Sequence, residues 1–558
     1  MKLFKKIMAL AIAMVMVLSM SISVFADETP TTYTVTITKN STDKAAHTYG
    51  AYQIFTGKLE TVDGKDVLSD IQWGSGVTGA TVITELNKIE GFSIPTSATA
   101  ADVAKAISDK AYTADSAGAQ AVADAINAAL TSTTAGTGTI AADATSGTIT
   151  GLAAGYYLVK DTAAVSGEGA QTRFILEVVK DVAVNEKASV PSVEKKVKEK
   201  DDNTGVETGW QDAADYDIGD EIPYQITGTL PSTFADFDKY TTYTFTDTLS
   251  AGLTPPATDK VTVKVGDADV TSHFDIAVSG QVLTISLKDG EDLKTWTAPA
   301  LTSASKFVVD YKATLNDSAK IGSEGNPNTV KLTFSNNPNY DSDGETGTTP
   351  EDKVIVFTYE IKALKVEPDG DAIDQSAYDA LNDTAKADYV KVGDKWQKTK
   401  ALAGAGFTLY KKVNSEYAAV GEEITGQTTF TFKGTDAGQY KLVETTVPAG
   451  YNKANDVEIT VTATYDTDSP DPKLTSLTVS PETAGFVVES TSTTTGEGDD
   501  AVTTTTYSGD IVGKILNQKG SVLPSTGGIG TTIFYILGAI LVLGAGIVLV
   551  TRRRMSAN

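Results

Sequence analysis

The sequence predicts a mostly β protein of tandem β-sandwich domains, with a helical insertion in the first domain and a transmembrane helix near the C-terminal end. Three observations predict it. The chain has 558 residues, too many for one ordinary core and enough for three or four domains. Apolar and polar residues alternate throughout, as in Tyr33-Thr34-Val35-Thr36-Ile37, Tyr243-Thr244-Phe245 and Val457-Glu458-Ile459-Thr460-Val461. Thr, Val, Tyr and Phe fill these runs and Gly, Asn, Asp and Pro clusters bound them, the pattern of antiparallel sandwiches. Helical periodicity is confined to residues 98–130, where Val103/Ile107 and Val122/Ile126 sit at i, i+4 spacing, and to a short insertion near Asp374–Tyr389. Ala188-Ser189-Val190-Pro191-Ser192 and Gly347-Thr348-Thr349-Pro350 mark junctions. They place domains at 27–190, 191–355 and 356–520, each of ordinary size.

Composition narrows the function. There are 46 basic and 72 acidic residues, for a net charge of −26. Six of the basic residues, Lys2, Lys5, Lys6, Arg552, Arg553 and Arg554, lie at the two ends, which leaves 40 against 72, or −32, for the middle. Such a body repels nucleic acid and anionic lipid. Cysteine is absent, which excludes disulfides, thiolate catalysis and zinc–thiolate sites. The two histidines, His47 and His273, are far apart in sequence and argue against a Ser-His hydrolase or a histidine metal site. No residue pattern calls for a cofactor or a metal. An enzyme is disfavoured.

The ends place the protein. Lys2, Lys5 and Lys6 precede an apolar run from Ile7 to Leu18 and then Val24-Phe25-Ala26, so residues 1–26 read as a secretory signal and the mature chain begins near Asp27. Ile529 to Val550 carries no charge and, at about 1.5 Å per residue, extends roughly 33 Å, enough to span a bilayer. Residues 551–558, with their three arginines, form a basic cytoplasmic tail. Just before the helix stands Leu523-Pro524-Ser525-Thr526-Gly527. This pentamer, the apolar helix and the arginines together resemble the cell-wall sorting signal of Gram-positive surface proteins. The resemblance implies that a sortase cleaves between Thr526 and Gly527 and transfers the Thr526 carbonyl to an amine, discarding the helix.

Each later module aims polar side chains at its core. In Tyr440-Lys441-Leu442-Val443-Glu444, the residues Tyr440, Leu442 and Glu444 share one strand face. A lone buried carboxylate is costly. By the same rule Ile361, Ala363 and Lys365 share a face on the third module's first strand, and Ile511, Gly513, Ile515 and Asn517 on its last. Lys362 lies on the opposite face. The run Tyr440 to Tyr451 resembles the E-box of Gram-positive pilins and of the collagen-adhesin B-type repeat, and the stretch Leu402 to Tyr410 also looks like that family. The resemblance implies that Glu444 promotes an isopeptide bond between Lys365 and Asn517. Burial strips the lysine of its charge and makes it a nucleophile, and the carboxyl moves a proton as ammonia leaves.

In the second module Lys195, Asp247 and Asn328 hold the corresponding inward positions on its first, middle and last strands, with Asn326 as the rival to Asn328 and Lys196 facing outward. Asp217 to Tyr224 and Phe245 to Leu249 resemble the D2 domain of fimbrial subunits, which implies a Lys195–Asn328 bond with Asp247 catalysing. The first module carries Lys160 where an E-box would carry Glu, which argues against the same bond there, although Tyr49 to Phe55 looks like the N-terminal domain of backbone pilins. Asp181-Val182-Ala183-Val184-Asn185-Glu186-Lys187 resembles the pilin motif, although Asn185-Glu186 replaces its usual Tyr-Pro. That resemblance makes Lys187 the acceptor amine.

The whole resembles the major (backbone) subunit of a sortase-assembled pilus, made of immunoglobulin-like and collagen-adhesin-type sandwiches. It implies as partners a pilin-specific and a housekeeping sortase, identical subunits in a covalent homopolymer, minor pilins, peptidoglycan and a host surface ligand. The alternative is a monomeric wall-anchored adhesin whose first module binds that ligand. Asp341-Ser342-Asp343-Gly344-Glu345 has acidic spacing but lacks the full calcium-loop pattern and reads as a solvated turn.

Overall fold

The computed structural model describes residues 31–520 and 529–555, apart from 42, 63–64, 113–116, 164, 166, 187–188, 339–344 and 496–501. The chain is mostly β, and each of three consecutive regions pairs two sheets. In the first, strands Ser146–Leu152, Tyr33–Thr38 and Val182–Asn185 form one sheet, and a five-stranded sheet carries His47–Val62 and Gly155–Asp161 at its centre. Tyr33–Thr38 and Val182–Asn185 run parallel, with Val35 opposite Val182 and Ile37 opposite Val184. The helical region is three helices, Gly79–Leu86, Ala100–Ser108 and Ala117–Asn127. The last two bury the anticipated Val103, Ile107, Val122 and Ile126, while the first lies outside the stretch expected. Thr99 and Asp102 form a reciprocal capping box that starts the second helix.

The second region packs sheets of seven and six strands around an aromatic-rich core that includes Tyr224, Tyr240, Tyr243, Phe245, Phe307 and Phe334. Asn326–Ser335 is not its last strand, contrary to expectation. Thr346–Thr348 and Asp352–Phe357 follow in the same sheet, with Asn328 opposite Val354. The apolar run Val354 to Phe357 is buried there, between Asn326–Ser335 and Ala213–Asp215. Asp352–Phe357 runs two residues beyond the expected boundary before Tyr359–Pro368 begins the third region.

There, sheets of six and five strands enclose the third core. The first strand, Tyr359–Pro368, lies parallel to the last, Val502–Leu516, with Lys365 opposite Ile515. The short insertion forms helices Gln375–Asp379 and Asp383–Lys386, capped by Asp374 and Asn382. The second and third regions are tied by Lys411, whose Nζ lies 2.5 Å from Asp202, 2.7 Å from Asp217 and 2.7 Å from Asp436. Gly434 (φ +77°) fits there because a Cβ would strike Ile218.

Helix Ile529–Met555 ends the described chain. Its described apolar side chains, among them Tyr535, Leu541, Val542 and Leu549, are exposed. Counting only described residues, no helix is long and apolar enough to cross a membrane.

Candidate cross-link sites and the linking ends

In the third region Tyr440, Leu442 and Glu444 alternate inward on Gly438–Thr446, as the period-2 pattern requires. Lys365, Glu444 and Asn517 converge there, each at most 1% exposed. The Lys365 Nζ lies 2.8 Å from Glu444 Oε1 and donates to Asn517 Oδ1 at 2.5 Å. The Asn517 Nδ2 donates to the same Glu444 Oε1 at 2.8 Å, and Ala454 N–H holds Glu444 Oε2 at 2.6 Å. Asn517 sits just past the last strand, where its N–H still pairs with Val366 O at 3.0 Å. One carboxylate oxygen thus touches both the amine and the carboxamide nitrogen, a layout that can carry a proton between them. Burial lowers the Lys365 pKa below the ordinary lysine value, against the opposing pull of Glu444. Lys362 faces outward and pairs with Glu360 and Asp510, both at 2.8 Å.

The second region brings Lys195, Asp247 and Asn328 together by a different route. All three are fully buried. The Lys195 Nζ lies 2.6 Å from Asp247 Oδ1 and donates to Tyr311 OH at 2.8 Å. Asn328 Nδ2 also donates to Tyr311 OH at 2.8 Å, and the hydroxyl donates in turn to Asp247 Oδ2. Asn328 Oδ1 has no hydrogen-bond partner. The Tyr224 and Tyr311 rings flank the ammonium at 5.1 Å each. Burial lowers the Lys195 pKa, with Asp247 opposing it. Asn326 is engaged elsewhere, donating to Lys320 O at 3.0 Å and Val356 O at 3.1 Å. Lys196 points outward to Asp212 at 2.6 Å.

Tyr311 was not anticipated, because an inward tyrosine reads as core until its hydroxyl is seen bridging the three groups. Lys187 and the motif Leu523, Pro524, Ser525, Thr526 and Gly527 lie outside the described residues, as does the signal segment 1–26. Residue Glu186, before Lys187, is pinned: its N–H donates to Thr38 O at 2.7 Å, and its carboxylate accepts Asn40 N–H at 2.9 Å and the Tyr49 hydroxyl. Asp181 accepts Thr34 N–H at 2.8 Å.

Comparison with known proteins gives the family. A family model described as Gram-positive pilin backbone subunit 2, Cna-B-like domain, matches residues 218–338. A prealbumin-like fold domain matches 389–472, and the LPXTG cell wall anchor motif matches 515–556. The trypsin-resistant surface T6 protein of Streptococcus pyogenes serotype M6 is 30% identical over 415 residues, 66% of this chain and 70% of that protein. The chain belongs to the Gram-positive backbone pilins. It is a cell-wall-anchored surface protein, and its relatives are structural pilins rather than enzymes. Among solved structures, the T6 backbone pilin of serotype M6 Streptococcus pyogenes superposes with a TM-score of 0.48 at 19% identity, covering 89% of this chain and 100% of that one. The full-length major pilin SpaD of Corynebacterium diphtheriae gives 0.42 at 20% identity, covering 78% and 92%.

Proposed function

We propose that this backbone pilin is polymerised head to tail by a pilin-specific sortase. The enzyme cuts between Thr526 and Gly527 and joins the Thr526 carbonyl to the Lys187 amine of the next subunit. A housekeeping sortase then attaches the finished fibre to peptidoglycan.

Two internal isopeptide bonds reinforce each subunit, Lys365–Asn517 promoted by Glu444 and Lys195–Asn328 promoted by Asp247. In each, the neutral lysine Nζ attacks Cγ of the asparagine. A C–N bond forms, the carboxyl group relays the lysine proton to Nδ2, and the C–Nδ2 bond breaks to release one ammonia. The observation that carries this reading is the buried Lys365–Glu444–Asn517 triad, with a single oxygen in contact with nucleophile and leaving group.

Intact mass of residues 27–526 tests it. The expected result is a deficit of two ammonia molecules, one restored by Lys195→Ala and one by Lys365→Ala, with Lys187→Ala restoring none. A full mass would overturn the internal bonds. For polymerisation, a cell-wall extract should show an SDS-resistant ladder that collapses to a single band in Lys187→Ala.

A further inference from the structure

The first region buries a polar group that neither the internal bonds nor the polymer linkage uses. The His47 side chain has no solvent exposure. Its Nδ1 pairs with Asp161 Oδ1 at 3.0 Å, and Asp161 Oδ2 is held by Thr172 N–H at 2.9 Å. Its Nε2 has no hydrogen-bond partner, yet it points between two carboxylates, 3.2 Å from Asp43 Oδ1 and 3.4 Å from Glu186 Oε1. Asp43 is itself fixed by Ala45 N–H at 2.8 Å and Ala170 N–H at 3.0 Å.

We propose that Asp43, His47 and Glu186 form a divalent-metal site, with zinc the ion that their donor set fits best. The three ligand atoms lie within 4.8 Å of one another. Zinc bonds nitrogen and carboxylate oxygen at about 2.0–2.2 Å, so two ligands on a tetrahedral zinc stand about 3.3 Å apart. The separations from Nε2 already match that edge, so an ion enters with little rearrangement. Asp161 supplies the partner that a metal-bound imidazole ordinarily has: a carboxylate on the other ring nitrogen, which fixes the tautomer and aims Nε2 at the metal. An ion takes the Nε2 lone pair, so a ring that carries a proton there gives it up to solvent on loading. A fourth position remains for water. Since Glu186 precedes Lys187, the ion also fixes the strand end from which that lysine departs.

The test is a zinc chloride titration of the full-length protein, solubilised in detergent and stripped with a chelator. One tight zinc per chain is expected. His47→Gln, Asp43→Asn and Glu186→Gln should each weaken it at least 100-fold, and Asp161→Asn about 10- to 100-fold. No saturable binding, or binding unchanged by His47→Gln, overturns the site. Because a variant can fail to fold, the wild-type protein supplies a second readout. The chain has only two histidines, so with nitrogen-15-labelled histidine, zinc should shift the Nε2 resonance of one ring and leave the other, His273, unmoved. Rings that both stay put would also overturn it.

Discussion

The second and third regions reach the same buried lysine–carboxylate–asparagine arrangement with different geometry. In the third, Glu444 touches Lys365 and Asn517 directly, and strands Tyr359–Pro368 and Val502–Leu516 are adjacent. In the second, Lys195 and Asn328 meet through the Tyr311 hydroxyl. The strands differ too. Asn517 lies at the end of its region, whereas Thr346–Thr348 and Asp352–Phe357 continue beyond Asn328. A longer carboxylate side chain closes the gap alone where the strands are neighbours. Where the lysine and asparagine come from facing sheets, an aspartate needs an intermediary.

The largest effect should follow removal of a cross-link. Each would close a loop of well over 100 residues, worth about 5 kcal/mol if the denatured-chain argument for disulfides carries over. Lys365→Ala should therefore lower the thermal midpoint of the third region sharply and restore one ammonia of mass. An unchanged midpoint would break the argument for that region alone.

Mechanical pulling separates the regions next. With both bonds intact and force applied between Lys195 and Asn517, only the stretch between Asn328 and Lys365 is free to extend. About 36 residues at ~3.5 Å each limit the extension to roughly 120 Å. A longer step in single-molecule force measurements would mean that one bond is missing.

Tyr311→Phe sharpens the chemical contrast. It should slow bond formation in the second region about 10-fold, ~1.4 kcal/mol on the barrier, and leave the third at its normal rate. Mass spectrometry of freshly folded protein over time reads both.

A smaller, pH-dependent effect belongs to the junction of the two regions. Burial raises the Asp215 and Glu199 pKa values, with each other's charge adding at Asp215. Tyr465 OH donates to Glu199 at 2.6 Å and Ala437 N–H to Asp215 at 2.9 Å. The folded state then holds more protons than the unfolded one. The contribution is present at and below ordinary carboxylate values, near pH 4, and is lost as pH rises through the raised values. Asp215→Asn should flatten this slope in thermal unfolding measured against pH.

Least of all should come from Lys362→Ala. Its outward pairs with Glu360 and Asp510 are partly exposed, so a change under about 1 kcal/mol and no change in mass are expected. A mass change would make Lys362, not Lys365, the bonded lysine.

Strand alternation by itself assigned Lys195, Asp247, Asn328, Lys365, Glu444 and Asn517 to the interior, because successive side chains on a strand face opposite ways. Parity also separated Lys365 from Lys362 and Lys195 from Lys196. It could not separate Asn328 from Asn326, which share a face; hydrogen bonds of Asn326 to the Lys320 and Val356 carbonyls did that. The sorting signal was readable because its parts are contiguous in the chain.

What tertiary structure alone decided is which inward groups meet. Lys365 and Asn517 are 152 residues apart, and no local period reports a contact at that range. Tyr311 became a bridge, and His47, Asp43, Asp161 and Glu186 became one cluster, only when strands from distant parts of the chain paired. The sequence determined which side chains must leave water; sheet pairing and register decided their partners, because a buried polar group is stable only beside whatever the fold brings within hydrogen-bond reach.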